Sequence, residues 1–205
     1  MLIFTAQALA FVAVPKTGTT ALEQALKPHA DIVFRKKHKH ATAMRFHRKI
    51  RPFLKDAFNV GVQSFAVMRE PEDQIRSWYK YRCREELIGQ PEYAGALSFD
   101  AFVEGVLAET PPPFAQIGSQ IAMLTGRGGR LLIDTLLAYE DWDQIEAFLS
   151  DRLNRRIVCA RSNVSPATPA PLDPSLRARL RAHRAAEFAL YDRLIASGGK
   201  LQRKA

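Results

Sequence analysis

The chain has 205 residues, 47% of them apolar and 25% charged, which suits one soluble domain with a sizeable core and excludes disordered and collagen-like classes. Its net charge of +9 concentrates anionic partners without choosing among nucleic acid, acidic polysaccharide and a phosphorylated cofactor. No apolar run approaches the length of a membrane span, and the two cysteines, Cys83 and Cys159, form neither a disulfide framework nor a close metal-ligand pair.

Residues 1–14 are apolar, and the first basic residue is Lys16, whereas a secretory leader begins with basic residues. The expected compartment is therefore the cytoplasm, which unpaired thiols also suit. Residues 8–14 form a continuous apolar run of strand length, as in a strand buried on both faces, and Pro15 ends it. A helix capped by threonine is expected over 19–27, then a short strand over 31–34. Between Arg35 and Arg51 stand eight lysines and arginines and three histidines with no acidic residue. Such a run is ordinarily a solvated face, although His38 and His40 in a Lys-His-Lys-His run also invite a functional reading. Residues 42–55 read as mostly helical with a break at Pro52.

A further apolar strand is expected over 64–68, followed by a helix that starts at Pro71 and runs to about Leu87. Ser98 caps a helix over 99–109, ahead of three prolines. Short strands are expected at 131–133, 136–139 and 157–160, with an amphipathic helix over 142–153 between the last two. A proline-rich loop at 162–174 leads to one long closing helix at 175–196. Strands alternating with helices imply an α/β domain, with a mainly parallel central sheet flanked by helices in three layers. Residues 1–197 are read as that single domain and 198–205 as a basic flexible tail.

Ligands of such sheets sit at the carboxyl ends of the strands, and two junctions there are distinctive. At the first, Pro15, Lys16, Thr17, Gly18, Thr19 and Thr20 carry the chain from strand to helix through a glycine. Free N–H groups at a helix start bind phosphate oxygens, Lys16 adds a point charge, and the threonines add hydroxyl donors. This is P-loop-like logic without the Gly-Lys-Ser/Thr of a nucleotide triphosphatase. At the second, a strand ends in Arg69, Pro71 opens a helix, and Ser77 lies about two turns in. An arginine so placed clamps a phosphate with two parallel hydrogen bonds, and the serine donates a third.

Together the two junctions resemble those of the PAPS-dependent sulfotransferases, and most closely the bacterial carbohydrate-sulfotransferase-like group. There a Pro-Lys-Thr-Gly-x-Thr loop binds the 5′-phosphosulfate of PAPS (3′-phosphoadenosine 5′-phosphosulfate), and an Arg-x-Pro-x5-Ser-x-Tyr segment binds its 3′-phosphate. Both stand here, as residues 15–20 and as Arg69, Pro71, Ser77 and Tyr79, and Asp73 falls where the family often has aspartate. The resemblance extends less specifically to residues 39–43, to residues 131–134 with Tyr139 and Glu140, and to residues 163–165. Thr19 replaces a frequent second glycine, Ala21 a frequent hydroxyl residue, and Glu70 a common asparagine, whose extra charge is unfavourable beside a phosphate unless it turns away.

The resemblance implies a P-loop-like fold, PAPS as cofactor with PAP as its product, and an acceptor hydroxyl on a carbohydrate or glycolipid. The basic run favours an anionic glycan among these acceptors. It assigns Lys16 to the leaving phosphate oxygen, Arg69, Ser77 and the loop to cofactor binding, and Asn163 and Ser165, with Arg161 after them, to a lid. The acceptor's proton needs a base, and His40 is the candidate, with His38 in reserve. No metal is expected, because lysine and arginine replace magnesium, and neither a nucleic-acid partner nor a transmembrane segment is expected. The rivals are a P-loop nucleotide kinase or NTPase, with Asp134 as its weak magnesium ligand, a nucleic-acid module built on residues 35–51, and a sulfotransferase-like protein that binds PAP without turnover.

Overall fold

The computed structural model describes residues 1–160 and 170–203. It opens on an antiparallel hairpin, β1 (Leu2–Phe4) with β2 (Leu9–Phe11), closed by a turn in which the Ala8 N–H donates to Thr5 O at 3.1 Å. A turn then leads into α1 (Thr19–Leu26), and β3 (Ile32–Val33) returns antiparallel to β1. Next comes one helical stretch made of α2 (Ala43–Arg45), a π-helical turn (Phe46–Ile50) and α3 (Arg51–Phe58). β4 (Gln63–Met68) runs parallel to β2 and leads into α4 (Pro71–Arg82). α5 (Phe99–Leu107) and α6 (Gln120–Leu124) precede β5 (Thr135–Ala138), which lies parallel to β4 and is followed by α7 (Trp142–Leu153). α8 (Pro174–His183), α9 (Ala185–Ala196) and β6 (Lys200–Gln202) close the chain, β6 antiparallel to β5.

The result is a six-stranded mixed sheet in the order β3-β1-β2-β4-β5-β6, flanked by helices. Alternate residues of a strand leave opposite faces, and the core splits accordingly. Ile3, Ala10, Ala66, Met68 and Leu136 pack with Phe46, Leu54, Leu124 and Leu194 on one face. Leu2, Phe11, Phe65 and Leu137 pack with Leu22, Leu26, Phe148 and Leu149 on the other. Phe65 stacks on Phe11 at 5.0 Å between ring centroids and meets Phe148 at 5.4 Å. A third cluster, with Ile75, Phe102, Leu180 and Phe188, joins α4, α5, α8 and α9 beyond the sheet.

The α/β class and the flanking helices are as the sequence implies, but the sheet is not mainly parallel. Only the β2–β4 and β4–β5 pairs are parallel, because β1 and β6 run against every neighbour they have. Pro52 does not end the helical stretch: the turn before it widens to π geometry, in which the Arg51 N–H donates to Phe46 O, and the helix continues as α3. The α1 cap is Gly18 in the left-handed region, without any side-chain hydrogen bond, rather than a threonine. α4 stops at Arg82, and Glu85–Leu87 is a separate 3-10 turn. Leu131 makes an isolated bridge to Thr125 rather than a strand, and residues 157–160 are irregular. The closing helix is divided at Arg184.

The last stretch is also a correction. Where a basic flexible tail is expected from 198, Lys200–Gln202 completes the sheet as β6, and the Arg203 guanidinium donates to Asp134 Oδ1 at 2.6 Å. The carboxylate of Asp134 also accepts from the Ser64 N–H and hydroxyl at 2.7 and 2.8 Å, and pairs with Arg51. Alternation in so short a segment is too brief to register, and the lysine and arginine that suggest solvent are spent on an edge strand and a half-buried carboxylate.

Candidate functional site at the carboxyl edge of the sheet

The three parallel strands end at the same edge, so the segments after β2, β4 and β5 come together there. After β2, the chain turns through Lys16 at φ 67° and Gly18 at φ 72°, both left-handed. For lysine this conformation costs about 1–2 kcal/mol, a strain held by the surrounding contacts. Glycine is required at 18 for a second reason: a Cβ there would lie 2.6 Å from the Trp142 ring and 3.1 Å from Tyr139. The Thr17 side chain is fully buried and its hydroxyl donates to Val14 O at 2.9 Å, so it braces the turn from within. Thr19 is buried and Thr20 exposed. Among the described residues, the backbone N–H groups of Gly18, Thr19 and Thr20 have no hydrogen-bond partner, as suits the start of a helix open to an anion.

The second junction meets the first through shared side chains. Gln74 of α4 donates from Nε2 to Pro15 O at 3.1 Å, tying that helix to the loop. The Arg69 guanidinium lies 4.4 Å over the Tyr139 ring, the same ring that walls Gly18. Gln120, fully buried in α6, holds the Arg69 backbone from both sides: Oε1 accepts its N–H at 2.9 Å, and Nε2 donates to its carbonyl at 2.8 Å. Arg69 Nε is buried without a hydrogen-bond partner among the described residues, as are Trp78 Nε1 and Arg82 Nε. Ser77 is buried on α4, and its hydroxyl makes no hydrogen bond among the described residues. Tyr79 points elsewhere, donating its hydroxyl to Leu97 O at 2.7 Å and packing on Phe99 and Phe102.

Lys16 reaches across to the far half of α4, with its ammonium 4.5 Å from the Tyr81 ring and 5.5 Å from Trp78. Arg82 and Arg84 gather on the same two rings. Burial, followed by the charges of Arg84, Arg69 and Arg82, pulls the Lys16 ammonium down to about 8. Among the described residues, none of these four cations is in a salt bridge. Buried donors and crowded, unpaired cations are costly unless an anion satisfies them, so the arrangement could accommodate an anion. Glu70 does not spoil it: its carboxylate turns back to cap α4, accepting the Asp73 N–H at 2.7 Å. Asp73 pairs with Arg76 on the same helix.

His40 stands beside the loop. Its Nδ1 is 2.8 Å from Ala13 O, and since a carbonyl only accepts, Nδ1 carries the proton and Nε2 keeps its lone pair. Burial lowers its pKa against the contrary pull of that hydrogen bond, which favours the neutral ring. The segment is pinned to α1 by Glu23, a buried carboxylate 3.0 Å from Lys39 and 3.1 Å from Lys27. Burial alone would raise the Glu23 pKa, but its two lysine partners hold it below the usual carboxylate range. His38 is exposed in the 3-10 turn Lys36–His38. Glu140 is exposed and accepts the Glu70 N–H at 2.9 Å. Asn163, Ser165 and Arg161 lie outside the described residues.

The structure therefore brings Lys16, Gly18, Thr20, Arg69 and His40 to one edge, and adds partners that the sequence reading missed. Arg82 and Arg84 were legible as basic residues every second position after Lys80, but nothing in the sequence placed them over Trp78 and Tyr81. A lone glutamine in a short helix, such as Gln120, carries no signal at all. In comparisons with known proteins, no family model, no curated protein and no solved structure matches the chain.

Proposed function

We propose that the chain is a sulfotransferase that moves a sulfuryl group from PAPS to an acceptor hydroxyl on a carbohydrate or glycolipid, with a P-loop-like turn at its cofactor site. The observation that carries this reading is the convergence of the strained loop at Lys16 and Gly18 with Arg69 and its orphaned Nε around one aromatic wall. A cofactor with phosphate groups on the 5′ and 3′ sides of a ribose needs two anion sites, and the two motifs stand in the order the family resemblance implies. PAPS, when bound, supplies an activated sulfuryl group. The N–H groups of Gly18, Thr19 and Thr20 and the Lys16 ammonium hold the phosphosulfate end, and Arg69 and Ser77 hold the 3′-phosphate.

Lys16 also meets the charge that develops on the leaving phosphate oxygen, which makes its contribution largest in the transition state. His40 takes the acceptor's proton at Nε2. Its Nδ1–H, anchored on Ala13 O, fixes the tautomer that leaves Nε2 free to do so. A nucleotide kinase fits less well. Asp134, its candidate magnesium ligand, precedes β5 and so lies at the opposite edge of the sheet, already paired with Arg51 and Arg203.

The test is PAP release from PAPS in the presence of a panel of sugar, glycolipid and simple alcohol acceptors. Acceptor-dependent release that disappears in Lys16→Ala is expected. PAPS left intact with every acceptor, by a protein that still binds PAP, would favour a binding protein without turnover.

A further inference from the structure

The helical stretch from Ala43 to Phe58 has an outer face that the proposed chemistry does not use. Its inner face, with Ala43, Phe46, Ile50 and Leu54, is buried against the sheet, so the helix is fixed in orientation. Outward it presents Arg45, Arg48, Lys49 and Lys55, all exposed, with Asp56 as the acidic exception. Among the described residues none of these four cations is in a salt bridge, although Lys55 donates to Asn59 Oδ1 at 2.9 Å. Beside them Phe53 and Phe58 are 55% and 51% exposed and lie edge to face at 5.9 Å between centroids. The basic surface continues past the helix, because Arg48 shares an open cleft of about 420 Å³ with Arg127 and Arg130 over an apolar floor of Met44 and Leu132.

We infer that this face docks the protein on an anionic lipid bilayer. The cations match the negative surface of such a membrane, where each adjacent lysine or arginine adds about 1 kcal/mol of attraction. The aromatic pair decides between a bilayer and a dissolved polyanion. Two half-exposed phenylalanines have no match in the charged phosphate or sulfate groups of a dissolved polyanion but gain burial at the boundary of headgroups and acyl chains. No helix among the described residues is long and apolar enough to cross a membrane, so the association is peripheral. It stands independently of the sulfuryl chemistry, since no residue of the candidate site takes part.

Sedimentation of the full chain with vesicles tests it. Binding to vesicles of phosphatidylcholine mixed with phosphatidylglycerol is expected, with none to phosphatidylcholine alone, and it should weaken as salt rises. The exposed double variant Phe53→Ser/Phe58→Ser should keep its melting temperature and lose about tenfold or more in affinity for the anionic vesicles. Arg48→Glu/Lys49→Glu should lose at least as much. Failure to sediment with anionic vesicles would overturn the inference. So would phenylalanine variants that bind like the parent, or tighter binding to duplex DNA that ignores the phenylalanines, since either outcome describes a polyanion surface instead.

Discussion

Arg69 and Lys16 are both cations at one edge of the sheet, but they should fail differently. Arg69→Ala removes a charge-assisted clamp and should weaken PAP binding by about 2 kcal/mol or more in a calorimetric titration. Lys16→Ala should reduce turnover more than affinity. His40→Ala should bind PAP almost normally and lose roughly 10²- to 10⁴-fold in turnover, the usual worth of a general base, while His38→Ala, at an exposed position, should change little. An unimpaired His40→Ala enzyme would move the base elsewhere. The pH profile of kcat/KM gives a separate check. His40 must be unprotonated and its pKa lies below the ordinary 6.5, so the acidic limb should fall only below that value. Lys16 must be protonated and sits at about 8, so activity should decline above that pH, and Lys16→Arg should abolish the alkaline limb because arginine stays charged. Lys16 and Arg69 were legible in the sequence because each is a charged type at a strand-to-helix junction, whereas His40 was reached through the resemblance and the need for a base. Gln120 and Gln74 were not legible, since residues that act by holding others carry no type-specific mark.

At the scale of elements, the turn before α1 and the strand at the end of the chain carry the clearest expectations. Gly18→Ala would add a strained left-handed alanine and drive its Cβ into Trp142, at a cost of about 2 kcal/mol in stability and with loss of PAP binding. Ending the chain at Gly199 removes β6 and the Arg203–Asp134 pair. The melting temperature should then fall by about 5 °C, whereas a dispensable tail would leave it unchanged. Long periodic or apolar segments were readable in advance: residues 142–153 form α7 as expected, and β4 and α4 begin within a residue of their expected starts. The hairpin partner β1, at three residues, and β6, also three, are too short for alternation to register, and tertiary pairing alone makes them strands. Glu70, read as a charge beside a phosphate, is explained by its helix: its carboxylate is the N-cap of α4.

At the scale of the whole molecule, the parallel trio β2, β4 and β5 decides what can meet what. It gathers the loop, Arg69 and Tyr139 at one edge and leaves Asp134 at the other, bound to Arg51, Arg203 and Ser64. Burial would raise the Asp134 pKa, but the Ser64 hydrogen bonds and the two arginines more than offset it. A carboxylate held below its ordinary 3.8 stabilises the fold above that pH and loses the contribution as pH falls through the lower folded value, so Asp134→Asn should flatten the acid side of the stability curve. The antiparallel edges, invisible in an alternation of strands and helices, change the sheet's composition without disturbing that central trio. The measurement that bears most directly on the account is an equilibrium titration with PAP, with and without magnesium, beside one with ATP and magnesium. PAP should bind without the metal, through Arg69 and the loop, and ATP, which lacks the 3′-phosphate, should bind far more weakly. Equal affinity for ATP with magnesium, or PAP binding that requires magnesium, would contradict the assignment of the two anion sites.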